Sequence, residues 1–472
     1  MGRTSLAACT GLLWIVLTAA CLPALPHGRA RAPNTSIPAS YGERMDANNS
    51  AQLKWREFFT DPKLSALIDL ALKNNQELNI VSAEVDITQN EVLARRGEYL
   101  PKVAFRVGAS LEKVGQYTSQ GASDEVNGVP QHLPNFAFGF SASWELDIWS
   151  KLRNATKAAS LRYLASQEGR NFAVTVLVGE LASSYYELVA LDAQLDVLKQ
   201  NIELQKNVLM IVKLQKEAAK VTELAVRRFE AEVLKNQSRQ YAIQQQLVQG
   251  EGRINFLLGR FPQHVDRSAQ RFVELVPPIV HAGIPSQLLQ NRPDVRRAQL
   301  ELVATDFDFK AAKAGFYPSL GIGANIGYQS FDFLNLVATP ASLVYNLAAD
   351  LVAPLFNRKA LTAAYFTANS KQLQAVYNYE RAILNGYVEV FKLLALVHNL
   401  EQSYDLQAQQ VDKLTQAIDI SSRLFASARA DYMEVLTTRR DALEAQIDLI
   451  ENKKRQMIAS VGLYQALGGG WR

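Results

Sequence analysis

Few side chains in this 472-residue sequence have the type and spacing that covalent or metal chemistry needs. Glu145 and Asp147 sit two apart on one strand face, where one carboxyl can act as general acid and the other as base. No nucleophile or orienting group accompanies them, so the pair is expected to be solvated rather than catalytic. Gly468-Gly469-Gly470 lacks the Lys-Ser/Thr and the following helix of a phosphate loop and reads as a terminal tail. Gly321-Ile322-Gly323 alternates in strand register, as small residues on one sheet face would. Both cysteines, Cys9 and Cys21, lie at the N-terminus, which leaves the body of the chain without a disulfide, a thiolate metal site or a cysteine nucleophile. His27, His132, His264, His281 and His398 include no pair at helical metal-binding spacing, and His398 reads as a packed or hydrated helix residue. No enzymatic activity, metal or cofactor is expected.

The 50 Lys and Arg against 46 Asp and Glu leave a net charge of +4, with no basic block and no basic-aromatic interleaving, so nucleic acid is not an expected partner. With 48% hydrophobic and 20% charged residues, the chain has the balance of a folded protein with a large core. Arg3, the apolar run Gly11 to Leu17 and Thr18-Ala19-Ala20 read as a signal peptide over 1–20. Cleavage before Cys21 would leave an N-terminal cysteine for acylation, although Thr18 stands where such sites usually have Leu. After residue 21 no uninterrupted apolar run approaches the ~18 residues of a membrane-spanning helix. Membrane contact by the mature chain must then come through lipid or β-strands.

Prolines are missing between Pro134 and Pro262 and after Pro354, which frees both stretches to be long helices. Leu393, Val397, Leu400, Tyr404, Val411, Leu414, Ile418 and Phe425 keep a heptad spacing. So do Leu436, Leu443, Ile447, Ile450, Met457, Val461 and Tyr464, and so do Leu188, Leu191, Leu195, Leu198, Ile202, Leu209 and Val212. The chain also repeats itself: Tyr99-Leu100-Pro101 matches Phe316-Tyr317-Pro318, Trp149 matches Phe356, and Leu258-Gly259 matches Leu467-Gly468. Between the matched proline and the long helix the period changes to two. Val103, Phe105, Val107, Ala109 and Leu111 alternate with small or polar residues, as do Phe136 to Ile148, Leu320 to Tyr328 and Leu343 to Leu351. A polar loop containing Gly121, Gly128 and Pro130 joins the first two strands.

Two hairpins make four strands, and an open four-stranded sheet cannot cross a bilayer with its edge amides unpaired. Closure needs more copies, two giving eight strands and three giving twelve. A helix from about Asn357 to Ser427 would reach roughly 100 Å, far more than a compact domain needs. A membrane barrel continued by such helices describes a conduit, with Glu145 and Asp147 at its lumen or rim.

At this point the residues carry a resemblance to the outer membrane factor family, the TolC-like export ducts, and within it to the NodT subgroup of outer membrane lipoproteins paired with resistance-nodulation-division (RND) pumps. The motifs are Arg292-Pro293-Asp294-Val295-Arg296-Arg297-Ala298, the two Tyr/Pro motifs above, Trp144-Glu145-Leu146-Asp147, Pro354-Leu355-Phe356 and Leu463 to Trp471. The resemblance implies an α+β membrane protein: a homotrimer with a twelve-strand barrel, a long α-helical barrel and an equatorial belt. It also implies a passive outer membrane channel of a Gram-negative bacterium, contacting outer membrane lipid and taking small molecules or ions from a periplasmic adaptor (membrane fusion) protein and an RND-type inner-membrane pump. A poreless coiled-coil lipoprotein and a protein-secretion duct of the same fold are the alternatives.

The expected division is a signal peptide (1–20), an extended segment (21–61), a first repeat (62–260), a linker (261–285), a second repeat (286–468) and a tail (469–472). Strands are predicted near 102–112, 135–149, 318–330 and 341–355, and helices near 150–218, 220–258, 357–427 and 430–467. Where the family usually has Gly at the two periplasmic turns, this sequence has Ala219 and Ala428, which puts either the turn geometry or the alignment in question. By the resemblance, the duct is closed at its tips by contacts among Lys216, Glu217, Lys220, Thr222 and Glu223 at one turn and Arg423, Arg429, Asp431 and Tyr432 at the other, and Cys21 is the lipidation site.

Overall fold

The computed structural model describes residues 31–41, 48–267, 272–354, 356, 358–427 and 429–472. The expected signal peptide, Cys21 and Ala428 lie outside the described residues. After α1 (Pro62–Asn74), the first copy of the repeat runs α2 (Gln76–Tyr99), β1 (Lys102–Glu112), α3 (Ser119–Val126), β2 (Leu133–Leu146), α4 (Lys151–Glu217) and α5 (Glu223–Leu257). The second runs α6 (Pro293–Ala314), β3 (Ser319–Ser330), β4 (Leu343–Val352), α7 (Lys359–Ala426) and α8 (Tyr432–Ala466). Matched helices agree in length, 67 and 68 residues for α4 and α7 and 35 for both α5 and α8. The first copy's longer hairpin connection is not all loop. Thr118 caps α3 there, its hydroxyl accepting from the Gly121 amide at 3.1 Å.

Two compact units divide the described chain, and one of them is formed by Asp86–Leu164 and Gln299–Asn378 with Arg31, Ala32 and Pro33. It holds a single antiparallel sheet in the order β1-β2-β3-β4. The hairpins of the two repeats therefore pair through β2 and β3, while among the described residues β1 and β4 each keep one edge without a neighbour.

β2 stops at Leu146, short of the expected residue 149, because the next residues turn the chain into α4. Ser150 takes the left-handed conformation at φ 58°, and Asp147 caps the helix. The Asp147 carboxylate accepts from the Leu152 and Arg153 amides at 3.0 and 2.9 Å and from Arg153 Nε at 3.2 Å. Its side chain is only 2% exposed. The expectation of a solvated carboxylate at Asp147 is thus corrected: the first-turn amides of α4 have no acceptors inside the helix, and Asp147 supplies them. Glu145 is more open and pairs with Lys151 at 3.0 Å.

The second unit comprises Asn34–Val85, Ala165–Ala298 and Tyr379–Arg472. Asp61 starts α1 by accepting from the Lys63 amide at 2.8 Å, with Pro62 at the first helical position where its missing donor costs nothing. The other Asp61 oxygen takes the Tyr185 hydroxyl at 2.7 Å. Leu64, Ile68, Leu181, Leu188, Leu198, Ile254 and Val461 form one buried cluster with Phe58, which stacks on Tyr464 at 4.0 Å. The heptad residues of α8 from Leu443 to Tyr464 are buried, and those of α7 form a half-buried stripe. Among the described residues one helix, α4, is long and apolar enough to cross a membrane, and 78% of its most apolar window is buried inside the protein. Its apolar face is a packing surface.

All four long helices end in the same way. The amide five residues beyond a terminal carbonyl folds back onto it: Lys220 to Gln215 at 2.8 Å, Arg260 to Asn255 at 3.0 Å, Arg429 to Leu424 at 2.9 Å and Gly469 to Tyr464 at 3.0 Å. This cap needs a left-handed residue, supplied by Gly259 at φ 64°, Gly468 at φ 97° and Ala219 at φ 57°. The turn at Ala219 therefore has the glycine-type geometry, and Ala adopts it at a cost of roughly 1–2 kcal/mol. Gly259 and Gly468 face a second constraint, since an added Cβ would lie 2.4 Å from the Asn74 carbonyl oxygen and 2.5 Å from that of Asn291.

The next residue completes the symmetry. Asn75 donates to the Leu257 carbonyl at 2.9 Å, and Arg292 donates to the Ala466 carbonyl at 2.6 Å. Arg292 also forks onto Asp294 at 3.0 and 2.8 Å and reaches Glu389 at 2.8 Å, with its side chain 6% exposed. The Arg-Pro-Asp motif thus ties the start of α6 to α7 and to the end of α8.

Gly468→Ala should lower stability by at least about 1–2 kcal/mol through backbone strain, with the clash added, whereas Ala219→Gly should be neutral or stabilising by up to about 1 kcal/mol. Thermal unfolding of the two variants measures the difference, and equal midpoints would contradict it.

Candidate functional site

The sheet has two chemically distinct faces because every strand pair is in register without a shift of one. Residues directly opposite share a face. On one face Phe105, Phe140, Ile326 and Tyr345 stand in one row, followed by Val107, Phe138, Tyr328 and Leu343. The opposite face carries the row Ala104, Ser141, Asn325 and Asn346, then Lys102, Ser143, Gly323 and Ala348, then Glu145, Gly321 and Asp350. Phe105, Phe140, Tyr345 and Leu347 are exposed. An exposed aromatic face backed by small and polar residues fits a wall between hydrocarbon and water. Gly321 and Gly323 fall on the polar face, as their register predicted.

Aromatic side chains mark the end of the sheet where the long helices begin. Trp149 stacks on Tyr317 at 4.8 Å and donates to the Pro318 carbonyl at 2.8 Å, and Trp144 donates to the Tyr99 carbonyl at 3.0 Å. Amphipathic rings with a satisfied N–H suit a membrane-water boundary. The repeated Tyr/Pro motifs thus provide the carbonyls and the ring that hold these tryptophans.

The helix turns form the second candidate region. Lys216 and Glu223, the residues flanking the α4–α5 turn, pair at 2.6 Å, and Glu223 also pairs with Arg227 at 2.8 Å. Lys213 and Glu230 extend the ladder at 2.8 Å. The hydrogen bond from Lys216 holds the Glu223 carboxyl below its usual range, and Lys213 does the same for Glu230. Their attraction is present above the ordinary carboxylate pKa and is lost as pH falls through the depressed one, so the ladder persists at neutral and mildly acidic pH. Beneath it Val212, Ala225, Val226 and Phe229 form a small apolar cluster against which Tyr432 and Leu436 of α8 pack.

Of the other expected tip residues, Glu217, Lys220, Thr222, Arg423, Arg429 and Asp431 are exposed. Thr222 and Asp431 precede α5 and α8 without a side-chain cap bond. Two neighbours were missed from the sequence. Arg228 Nη1 lies 2.9 Å from the Met433 sulfur, linking the two hairpins. Arg439 bonds Ser422 at 3.4 Å while its Nε is buried without an acceptor, and burial pulls its pKa down. The Arg228 contact joins the two hairpins and the Arg439 contact joins α7 to α8 within one hairpin, and the sequence has no local signal for either.

The family model described as outer membrane efflux protein matches residues 67–260 and 284–469, one match for each repeat. The chain is similar to the pyoverdine export outer membrane protein OpmQ of Pseudomonas putida, 29% identical over 419 residues, 89% of this chain and 88% of that one. It is also similar to a probable outer membrane lipoprotein, SilC, of Salmonella typhimurium, 25% identical over 462 residues and 97% of both chains. Among solved structures, the open state of the Neisseria gonorrhoeae MtrE outer membrane channel superposes with a TM-score of 0.84 at 21% identity, covering 95% of this chain and 98% of that chain. Fold, internal repeat and family model agree, and the chain belongs to the outer membrane efflux protein family and is an efflux channel of the outer membrane.

Proposed function

We propose that three copies close their sheets into one twelve-strand barrel and act as the passive exit duct of a tripartite pump, receiving small molecules or ions from an inner-membrane RND-type pump through a periplasmic adaptor. The observation that carries this reading is the two-faced sheet with free edges on β1 and β4. Pairing β4 of one copy with β1 of the next satisfies those edges in hydrocarbon. Two copies would make an eight-strand barrel, whose interior side chains nearly fill; three leave a lumen. Conduction through a lumen needs no catalytic group, so the duct is not an enzyme. Light scattering of the detergent-extracted protein should give three times the mass of one chain. A monodisperse monomer would sink the barrel.

The tips supply the gate. Lys216 and Glu223 stiffen their own turn, which leaves the exposed Glu217, Lys220, Thr222, Arg423, Arg429 and Asp431 to bond neighbouring copies, while Tyr432 seats one hairpin on the other. An exposed pair contributes only about 0–1 kcal/mol, but threefold symmetry repeats each contact, so a closed state can hold and still be opened by the adaptor. Arg429→Ala with Asp431→Ala should raise single-channel conductance and uptake of large antibiotics without changing trimer yield. Wild-type values for both would move the constriction elsewhere along the tube.

Acylation at Cys21 fits the reach of the chain. Arg31 lies over the Tyr377 ring at 5.5 Å. From there to Lys359 at the start of α7 is roughly 27 Å along the helix, and the stretch from Cys21 to Arg31 spans up to roughly 33 Å when extended. The lipid can therefore reach the level at which the chain leaves β4. Cys21→Ser should abolish labelled-palmitate incorporation while leaving trimers intact; undiminished labelling would assign the lipid to another residue.

A further inference from the structure

We propose that Arg106 forms a positive collar inside the barrel that favours the passage of anionic solutes. The inference rests on the closed-barrel reading and adds a charge preference to it. Arg106 lies on the polar face of β1 opposite Gly139, which is opposite Gly327, which is opposite Val344. The two glycines are sterically required. A Cβ on Gly139 would stand 2.4 Å from the Ile326 carbonyl oxygen, and one on Gly327 would stand 2.3 Å from that of Phe138. Neither central strand can carry a side chain at this level, so the guanidinium has the row to itself apart from one valine.

The neighbouring rows do not neutralise it. Ala104, Ser141, Asn325 and Asn346 form the row on one side, and Gly108, Ala137 and Gln329 form the row on the other, with no ionisable group in either. The acids on this face stand at its ends, Glu112 at one and Glu145 with Asp350 at the other. Six residues of strand separate Arg106 from Glu112, and six separate the level of Arg106 from that of Glu145, roughly 20 Å in each case. That is twice the Debye length of about 10 Å at 0.1 M salt, so neither end cancels the field at mid-height. Glu145 is in addition paired with Lys151 at 3.0 Å, and Lys102 adds positive charge two rows from Arg106. Arg106 is exposed and makes no hydrogen bond or ion pair among the described residues of its own chain. A guanidinium stays charged at every physiological pH, and a ring of them around a pore is an anion-attracting device. The solutes favoured would be small carboxylates, phosphates and similarly charged organic anions.

Reversal potentials test the collar directly. Full-length trimers of the wild type and of Arg106→Gln, Arg106→Lys and Arg106→Glu are placed in planar bilayers across a KCl gradient between about 0.1 and 0.3 M, where a Debye length of about 10 Å or less keeps the end acids out of reach of the collar. Arg106→Gln should lower the chloride-to-potassium permeability ratio by on the order of threefold. Arg106→Lys should keep the wild-type ratio, and Arg106→Glu should drop it below that of Arg106→Gln. An unchanged ratio in a conducting Arg106→Gln trimer overturns the collar and leaves the duct standing. No channel activity from any variant, Arg429→Ala with Asp431→Ala included, would count against the duct itself.

Discussion

A backbone amide or carbonyl left unpaired in hydrocarbon costs several kcal/mol, and that constraint organises this protein. The repeat provides two hairpins, which pair with each other through β2 and β3 and leave β1 and β4 with open edges. Internal duplication halves the edge problem without solving it. The aromatic row at Phe105, Phe140, Ile326 and Tyr345 fits a face turned to lipid, where no water is available to satisfy an edge. On the closed-barrel reading proposed above, further copies satisfy those edges, and the charges on the other face become the lining of a lumen.

The helical unit meets a related requirement at its helix ends. Every long helix leaves terminal carbonyls to be satisfied, and all four fold the following amides back over them. Asn75 and Arg292 then cover one more carbonyl at equivalent places, Leu257 and Ala466. The two copies have diverged at this point: Arg292 adds the fork onto Asp294 and Glu389, which an asparagine is too short to make. A device that closes a helix end in the first repeat has become, in the second, an ionic tie among three helices. Its burial makes the tie costly to break, because removing one partner strands a buried charge.

Charge is distributed differently in the two candidate regions. At the α4–α5 turn acids and bases alternate closely enough to pair within the hairpin, as Lys216, Glu223, Arg227, Glu230 and Lys213 do. On the polar sheet face they are spread along the strands, and Arg106 stands alone in its row. Close pairing stiffens a turn and projects little field; isolation does the reverse. The same residue types therefore set shape at one place and set the potential felt by a passing solute at the other.

The sequence by itself determined the repeat, the period-two strands with their two faces and the heptad seams. Each is written in residues a fixed number of positions apart, and strand and helix geometry turns that spacing directly into a face. It left open the turn at Ala219, where the family it resembles usually has Gly, and the structure shows that Ala219 keeps the left-handed conformation. Tertiary structure alone decided the role of Asp147, which spacing placed with Glu145 on a strand and which the chain's turn into α4 converts into a buried cap. It alone brought Arg292 to Ala466 and Glu389 and Arg228 to Met433. These contacts join residues far apart in the chain, and no local period encodes them. The emptiness of the row around Arg106 is of the same kind, because it depends on two strands from different repeats approaching so closely at Gly139 and Gly327 that no side chain fits between them.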